Sequence, residues 1–199
     1  MSRLLLIVIL SLSAPAAFAK TILVLGDSIS AAYGMAMEDG WVNLLRQRLD
    51  AERPGHYTVI NASVSGDTTA LGLRRLPPLL ERHDPDKVIV ELGGNDGLRG
   101  LPLQQMRDNL GAIIELCRAN GAEVVLVSVE LPRSYGAGFN RRYLAVFDSL
   151  EKTYGLPRIS LGFDLLDDRD LMQADGIHPT EAAQPLLLEA VWPVIAPRG

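Results

Sequence analysis

Five short runs rich in Val, Ile and Leu, separated by stretches whose apolar residues recur at helical spacing, restrict this 199-residue chain to few folds. The runs are Thr21 to Leu25, Tyr57 to Asn61, Lys87 to Leu92, Glu123 to Ser128 and Pro157 to Ser160. Their near-continuous apolar character suits strands covered on both faces. Helical patterns fall over 40–51, 68–81 with a break near Pro77-Pro78, 103–120, 139–154 and about 185–195. Strands alternating with helices predict an α/β fold with a central parallel sheet of about five strands. In such open sheets a site forms at the carboxyl ends of the strands. Ser28 follows the first run, Ser65-Gly66-Asp67 the second and Gly93-Gly94-Asn95-Asp96 the third, so three polar loops should converge on one edge.

The chain opens with Arg3, the apolar run Leu4 to Leu12 and a small-residue stretch ending Ala17-Phe18-Ala19. That order predicts a secretory signal peptide over 1–19, cleaved before Lys20. The apolar run is about half of the ~20 residues that a bilayer-spanning helix needs. Lys20, not Cys, follows the cleavage point, so the mature protein is expected to be periplasmic or secreted, without a stable membrane anchor. The mature residues, about 180, are enough for one domain with its own core, and no linker or repeat divides 20–199. Cleavage removes one Arg and no acid from a chain of formal net charge −5, which argues against a nucleic-acid partner. The one cysteine, Cys117, shares a helix face with Leu103, Met106, Leu110, Ile113 and Ile114 and is expected to be a small buried hydrophobe.

Three histidines are available as a base. His178 alone has a carboxylate three residues before it, in Asp175-Gly176-Ile177-His178. Gly176 permits a tight turn that would fold Asp175 onto the imidazole while the other ring nitrogen faces Ser28. Ser28 would be the nucleophile, His178 the base and Asp175 the orienting carboxylate. His56 and His83 precede strands two and three, on the opposite edge, and are expected at the solvated surface. Acyl transfer also needs donors for a negative tetrahedral oxygen. Gly66 offers a backbone N–H, Asn95 a side-chain amide and Ser28 its own N–H. A metal-dependent phosphoesterase is the competing enzyme reading, since Asp27, Asn95, Asp96 and His178 are potential ligands, but the motifs hold only one histidine. The dinucleotide fingerprint G-x-G-x-x-G and the nucleophile elbow G-x-S-x-G are both absent.

Gly26-Asp27-Ser28, Gly66, Gly93-Gly94-Asn95-Asp96 and Asp175-Gly176-Ile177-His178 together resemble the four sequence blocks of the SGNH (GDSL-type) serine hydrolases. The longer strings Ser65 to Thr68, Glu91 to Gly100 and Asp175 to Pro179 are similar to its periplasmic multifunctional thioesterase, lysophospholipase and arylesterase branch. The resemblance implies a flavodoxin-like three-layer α/β/α sandwich, no metal or organic cofactor, and the roles above for Ser28, Gly66, Asn95, Asp175 and His178. It implies hydrolysis of acyl thioesters, lysophospholipids or aryl esters through an acyl-serine intermediate. A carbohydrate O-deacetylase and a non-catalytic lipid- or glycan-binding protein are the alternatives on the same fold. It further implies that the loop Gly97 to Pro102 moves on substrate binding; the residues themselves offer Gly97 and Gly100 as hinges and Leu98 and Leu101 to shield an acyl chain, the alternative being an ordinary strand-to-helix connection with Pro102 near the helix start. Leu131, Tyr135 and Phe139, in the long connection after strand four, are candidates to line the acyl pocket or, equally, to cap the core. A small-molecule acyl ester or thioester is the only partner expected, and the chain is expected to be a monomer.

Overall fold

The computed structural model of the chain describes residues 19–162 and 169–196. Strands β1 (Lys20–Gly26), β2 (Tyr57–Asn61), β3 (Lys87–Glu91), β4 (Glu123–Val129) and β5 (Arg158–Leu161) form one five-stranded sheet in the order β2-β1-β3-β4-β5. Every neighbouring pair is parallel. The expected signal peptide lies outside the described residues, apart from Ala19.

Helices α1 (Trp41–Glu52), α2 (Thr69–His83), α4 (Leu103–Ala119), α5 (Ala137–Tyr154) and α6 (Gln184–Ile195) cover the sheet, and the short α3 (Gly94–Leu98) sits at its carboxyl edge. Because successive strand residues face opposite sides, the central strands β1, β3 and β4 each feed two cores, while the edge strand β5 buries Ile159 and Leu161 in one of them. Leu23, Leu25, Val88, Val90 and Leu126 pack under α2, α4 and α5 through Leu76, Met106, Leu110, Tyr143 and Phe147. Ile22, Val24, Ile89, Val125 and Val127 pack under α1 and α6 through Trp41, Leu45, Leu187 and Val191. Each such side chain, fully buried, contributes roughly 1.5–3 kcal/mol of transfer free energy, so the three-layer arrangement satisfies all-apolar strands that a one-sided sheet would leave wet. Cys117 belongs to the first core, and burial pushes its thiol up to about 12.

Three expectations need correction. The helix over the second connection does not break at Pro77-Pro78; it runs unbroken from Thr69 to His83. Both prolines are exposed while Leu76 and Leu80, on either side of them, are buried. The bonds that the two prolines cannot donate are therefore lost on the solvent face, and the buried leucines hold the helix on the sheet. Residues 94–98 are not part of a loop but one short helix, and α5 begins two residues earlier than its apolar spacing suggests.

The register sets the site. Gly26 lies beside Glu91 and Glu91 beside Val127, so β1 and β3 end at one level; β2 ends at Asn61, beside Val24, and the chain reaches that level through Ala62 and Val64, whose N–H groups donate to the Val24 and Gly26 carbonyls.

Candidate active site

Ser28 stands in the turn that directly follows β1, two residues beyond Gly26. Across from it, the segment before α6 folds back on itself: Met172 bridges Pro179, the Gln173 N–H donates to the His178 carbonyl at 2.8 Å, and the Gly176 N–H donates to the Gln173 carbonyl at 2.9 Å. Gly176 takes φ +65°, a left-handed conformation that glycine adopts without steric cost. The turn aims Asp175 at its neighbours. Asp175 Oδ1 accepts the N–H groups of Ile177 (2.9 Å) and His178 (3.0 Å), and Oδ2 lies 2.6 Å from His178 Nδ1.

The other ring nitrogen, Nε2, lies 2.9 Å from Ser28 Oγ. A continuous chain thus runs from carboxylate to imidazole to hydroxyl. Desolvation works to raise the Asp175 pKa, but the His178 ring, the two N–H donors and the histidine charge outweigh it and hold the carboxyl down to about 2. Asp175 therefore stays anionic across the neutral range, suited to stabilising an imidazolium. Tyr33 lies over the histidine, ring centroids 4.4 Å apart. Gln173 ties the two loops together, donating to the carbonyls of Tyr33 (2.8 Å) and Pro179 (3.0 Å).

Gly66 sits in the loop between β2 and α2 at φ +84°. Its carbonyl accepts Arg99 Nη2 at 2.8 Å. Next to it, Asp67 pairs with Arg75 Nε at 2.5 Å, while the same guanidinium donates to the carbonyls of Ala62 and Gly26. Asn95, in the first turn of α3, donates its Nδ2 to Asp27 Oδ2 at 3.0 Å. Asp96 points elsewhere: it accepts the N–H (2.8 Å) and hydroxyl (2.6 Å) of Thr69 and so fastens α3 to α2. The potential metal ligands Asp27, Asp96 and His178 thus face different partners, and among the described residues no three acidic, His or Cys side chains gather as a metal site.

Beside Ser28 opens a mainly apolar cleft, lined by Ile29, Asn95, Leu98, Val129, Leu131, Leu161, Met172, Ile177 and Leu187 among others. Of the residues expected to contact substrate, Leu98 and Leu131 line it. Gly97 is buried within α3, where an added Cβ would stand 2.7 Å from Leu131 Cδ1. Leu101, Tyr135 and Phe139 are not among the lining residues. Tyr135 instead donates its hydroxyl to the Leu98 carbonyl at 3.0 Å, and Phe139 packs against the first core. Val129, Leu161, Met172 and Leu187 escaped sequence reasoning, although the apolar positions of Val129 and Leu161 at the carboxyl ends of β4 and β5 and of Leu187 on α6 were a usable signal; Met172, in the segment that bridges to Pro179, gave none. His83 and His56 lie on the opposite edge as expected, with His56 exposed and His83 half-buried.

Residues 24–185 match the model of the GDSL-like lipase/acylhydrolase family. The chain is 48% identical over 184 residues to an esterase, TesA, of Pseudomonas aeruginosa, covering 91% of this chain and 90% of that one. It is 41% identical over 175 residues to thioesterase 1/protease 1/lysophospholipase L1 of Escherichia coli, covering 87% of this chain and 82% of the relative. A crystal structure of TesA superimposes with a TM-score of 0.83 at 44% identity, over 89% of this chain and 99% of that one. With a serine, a histidine and an aspartate joined at the mouth of an apolar cleft, on a sheet of this topology, the chain belongs to the GDSL-like lipase/acylhydrolase family.

Proposed function

We propose that the protein hydrolyses carboxylic esters and thioesters of fatty acids, acyl thioesters, lysophospholipids and aryl esters among them, through an acyl-Ser28 intermediate. The observation that carries this reading is the unbroken relay Asp175, His178, Ser28, at 2.6 and 2.9 Å, opening on the apolar cleft. Ser28 Oγ attacks the acyl carbon as His178 Nε2 takes its proton, and Asp175 holds the ring and balances the imidazolium. The tetrahedral oxygen, now negative, is met by the N–H groups of Ser28 and Gly66 and by the Asn95 amide. Collapse expels the alcohol or thiol, which leaves with the proton from His178. Water then enters on the same base and frees the acid.

Leu98 and Leu131, with the walls from β4, β5 and α6, supply an apolar lining for the acyl chain. Such a lining favours a fatty acyl group over acetyl and so weighs against a carbohydrate O-deacetylase. The esterase and thioesterase names of the relatives support the same reaction class. A periplasmic or secreted location follows from the predicted signal peptide at 1–19; among the described residues no helix is long and apolar enough to cross a membrane. The test is the initial rate on p-nitrophenyl esters from acetyl to palmitoyl with Ser28→Ala alongside. Serine-dependent turnover that rises beyond acetyl is expected, whereas turnover surviving the substitution would overturn the proposal.

A further inference from the structure

Asp27 precedes the nucleophile, and the reaction as drawn gives it nothing to do. Its side chain is nevertheless only 2% exposed, an expensive place for a carboxylate unless its oxygens are used. Both are. Oδ1 accepts the Ile29 N–H at 3.1 Å, and Oδ2 accepts Asn95 Nδ2 at 3.0 Å. Glu91, 1% exposed at the end of β3, braces the segment from below, its Oε2 accepting the Ser30 hydroxyl at 2.8 Å and the Asp27 N–H at 3.3 Å. An alanine-like Cβ at Gly94 would stand 3.3 Å from Asp27 Oδ2, so the start of α3 is packed directly on the carboxylate.

From this geometry we infer that Asp27 is the positioning residue of the Asn95 amide, holding its nitrogen, and not its oxygen, at the place where the tetrahedral oxygen forms. An amide bears a donor at one end and an acceptor at the other, and the two ends have nearly the same shape. A carboxylate beside it accepts hydrogen bonds only, so the amide nitrogen must face it, and the second N–H on that nitrogen stays available for substrate. A neutral side chain at position 27 removes this selection. Asparagine there has one acceptor oxygen for two donors, Ile29 N–H and Asn95 Nδ2, and satisfying Ile29 turns its own NH₂ toward Asn95. The Asn95 amide then inverts, presenting its carbonyl oxygen to an anion. The inference rests on the proposed role of Asn95 as an oxyanion donor.

A double-substitution cycle separates the two. Wild type, Asp27→Asn, Asn95→Ala and the double variant are compared for kcat and KM on a p-nitrophenyl ester, with thermal unfolding to show that each is folded. Asn95→Ala alone tests the donor role, where a loss of about 10²- to 10³-fold in kcat is expected; if kcat does not fall, that underlying reading fails. Asp27→Asn is expected to lower kcat at least tenfold with KM changed less than about threefold, and to change kcat less than about threefold when Asn95 is already alanine. Equal losses in both backgrounds would overturn the inference, since Asp27 would then act independently of Asn95. Unchanged kcat in Asp27→Asn alone would overturn it as well. Should Asp27→Asn fail to fold, Asp27→Ser, smaller and also unable to serve both donors, takes its place in the same cycle with the same two outcomes.

Discussion

Replacing Arg75 by methionine should cost this protein a large part of its stability, and the structure says why. Arg75 lies on α2 with its side chain 23% exposed, and its partner Asp67 is 8% exposed, so the pair is mostly withdrawn from water. The guanidinium serves three acceptors on three pieces of chain: the Asp67 carboxylate, the Ala62 carbonyl after β2 and the Gly26 carbonyl at the end of β1. Methionine keeps the apolar stem but leaves a buried carboxylate without its counter-charge. Breaking such a pair by removing one partner costs about 3–5 kcal/mol, and the residual exposure of Arg75 places the expectation near the lower end, at about 3 kcal/mol. Domains of this kind have only about 5–15 kcal/mol to lose. Most of the cost is the stranded charge, not the lost attraction, so Asp67→Asn placed on top of Arg75→Met should recover a substantial fraction. The assay is urea unfolding of the four proteins of the cycle by linear extrapolation, checked for an unchanged m value. A loss below about 1 kcal/mol in Arg75→Met, or a double variant as unstable as the single one, would refute the reasoning.

Two further outcomes are expected. Burial, set against the Ile29 N–H, the Asn95 amide and the His178 charge, raises the Asp27 pKa from 3.8 to about 6. A carboxyl whose folded pKa lies above its unfolded one contributes stability below the unfolded value and loses it as pH rises through the folded one. Burial moves Glu91 in the same direction, while Asp175, lowered to about 2, acts oppositely and only below its unfolded value of 3.8. Wild type should therefore lose stability relative to Asp27→Asn by on the order of 3 kcal/mol between about pH 4 and pH 7; a difference flat with pH in urea titrations would contradict this. Separately, Gly97→Ala would set a methyl 2.7 Å from Leu131 Cδ1 and 2.9 Å from Cδ2. Overpacking of this kind typically costs 1–3 kcal/mol, here relieved by pushing Leu131 toward the cleft. The p-nitrophenyl series should show kcat/KM falling about tenfold for long acyl chains and much less for acetyl, and a uniform change at all lengths would count against Leu131 as part of the acyl wall.

The sheet was legible because its central strands carry near-continuous apolar runs and its edge strands β2 and β5 still hold Val59-Ile60 and Ile159 between turn residues, and each was found to within two residues of its ends. The relay was legible because few residue types can perform its chemistry and each stands next to a strand end or a glycine turn. What stayed hidden depended on three-dimensional placement. The Gly94–Leu98 helix is too short to carry a hydrophobic period and two of its five residues are glycine, so its sequence looks like loop. The helical run through Pro77-Pro78 is decided by burial of Leu76 and Leu80, which local propensity does not contain. Sequence left Leu131, Tyr135 and Phe139 between acyl pocket and core; Leu131 lines the cleft, Phe139 packs against the core, and the Tyr135 hydroxyl secures the Leu98 carbonyl. The partners Arg75 and Arg99, which fix the Gly66 loop, lie 9 and 33 residues along the chain from Gly66, a separation at which sequence spacing carries no pairing signal. Asp27 was read only as a possible metal ligand, because its contact with Asn95 spans two different strand ends.

The central claim is that Ser28 becomes acylated. It is tested most directly by mixing the mature protein with excess p-nitrophenyl ester, quenching in acid within milliseconds to seconds, and measuring the intact mass and the modified peptide. A mass increase of one acyl group, located on Ser28 and absent from Ser28→Ala, is the predicted result. A label on another residue, or undiminished labelling of Ser28→Ala, would contradict the account.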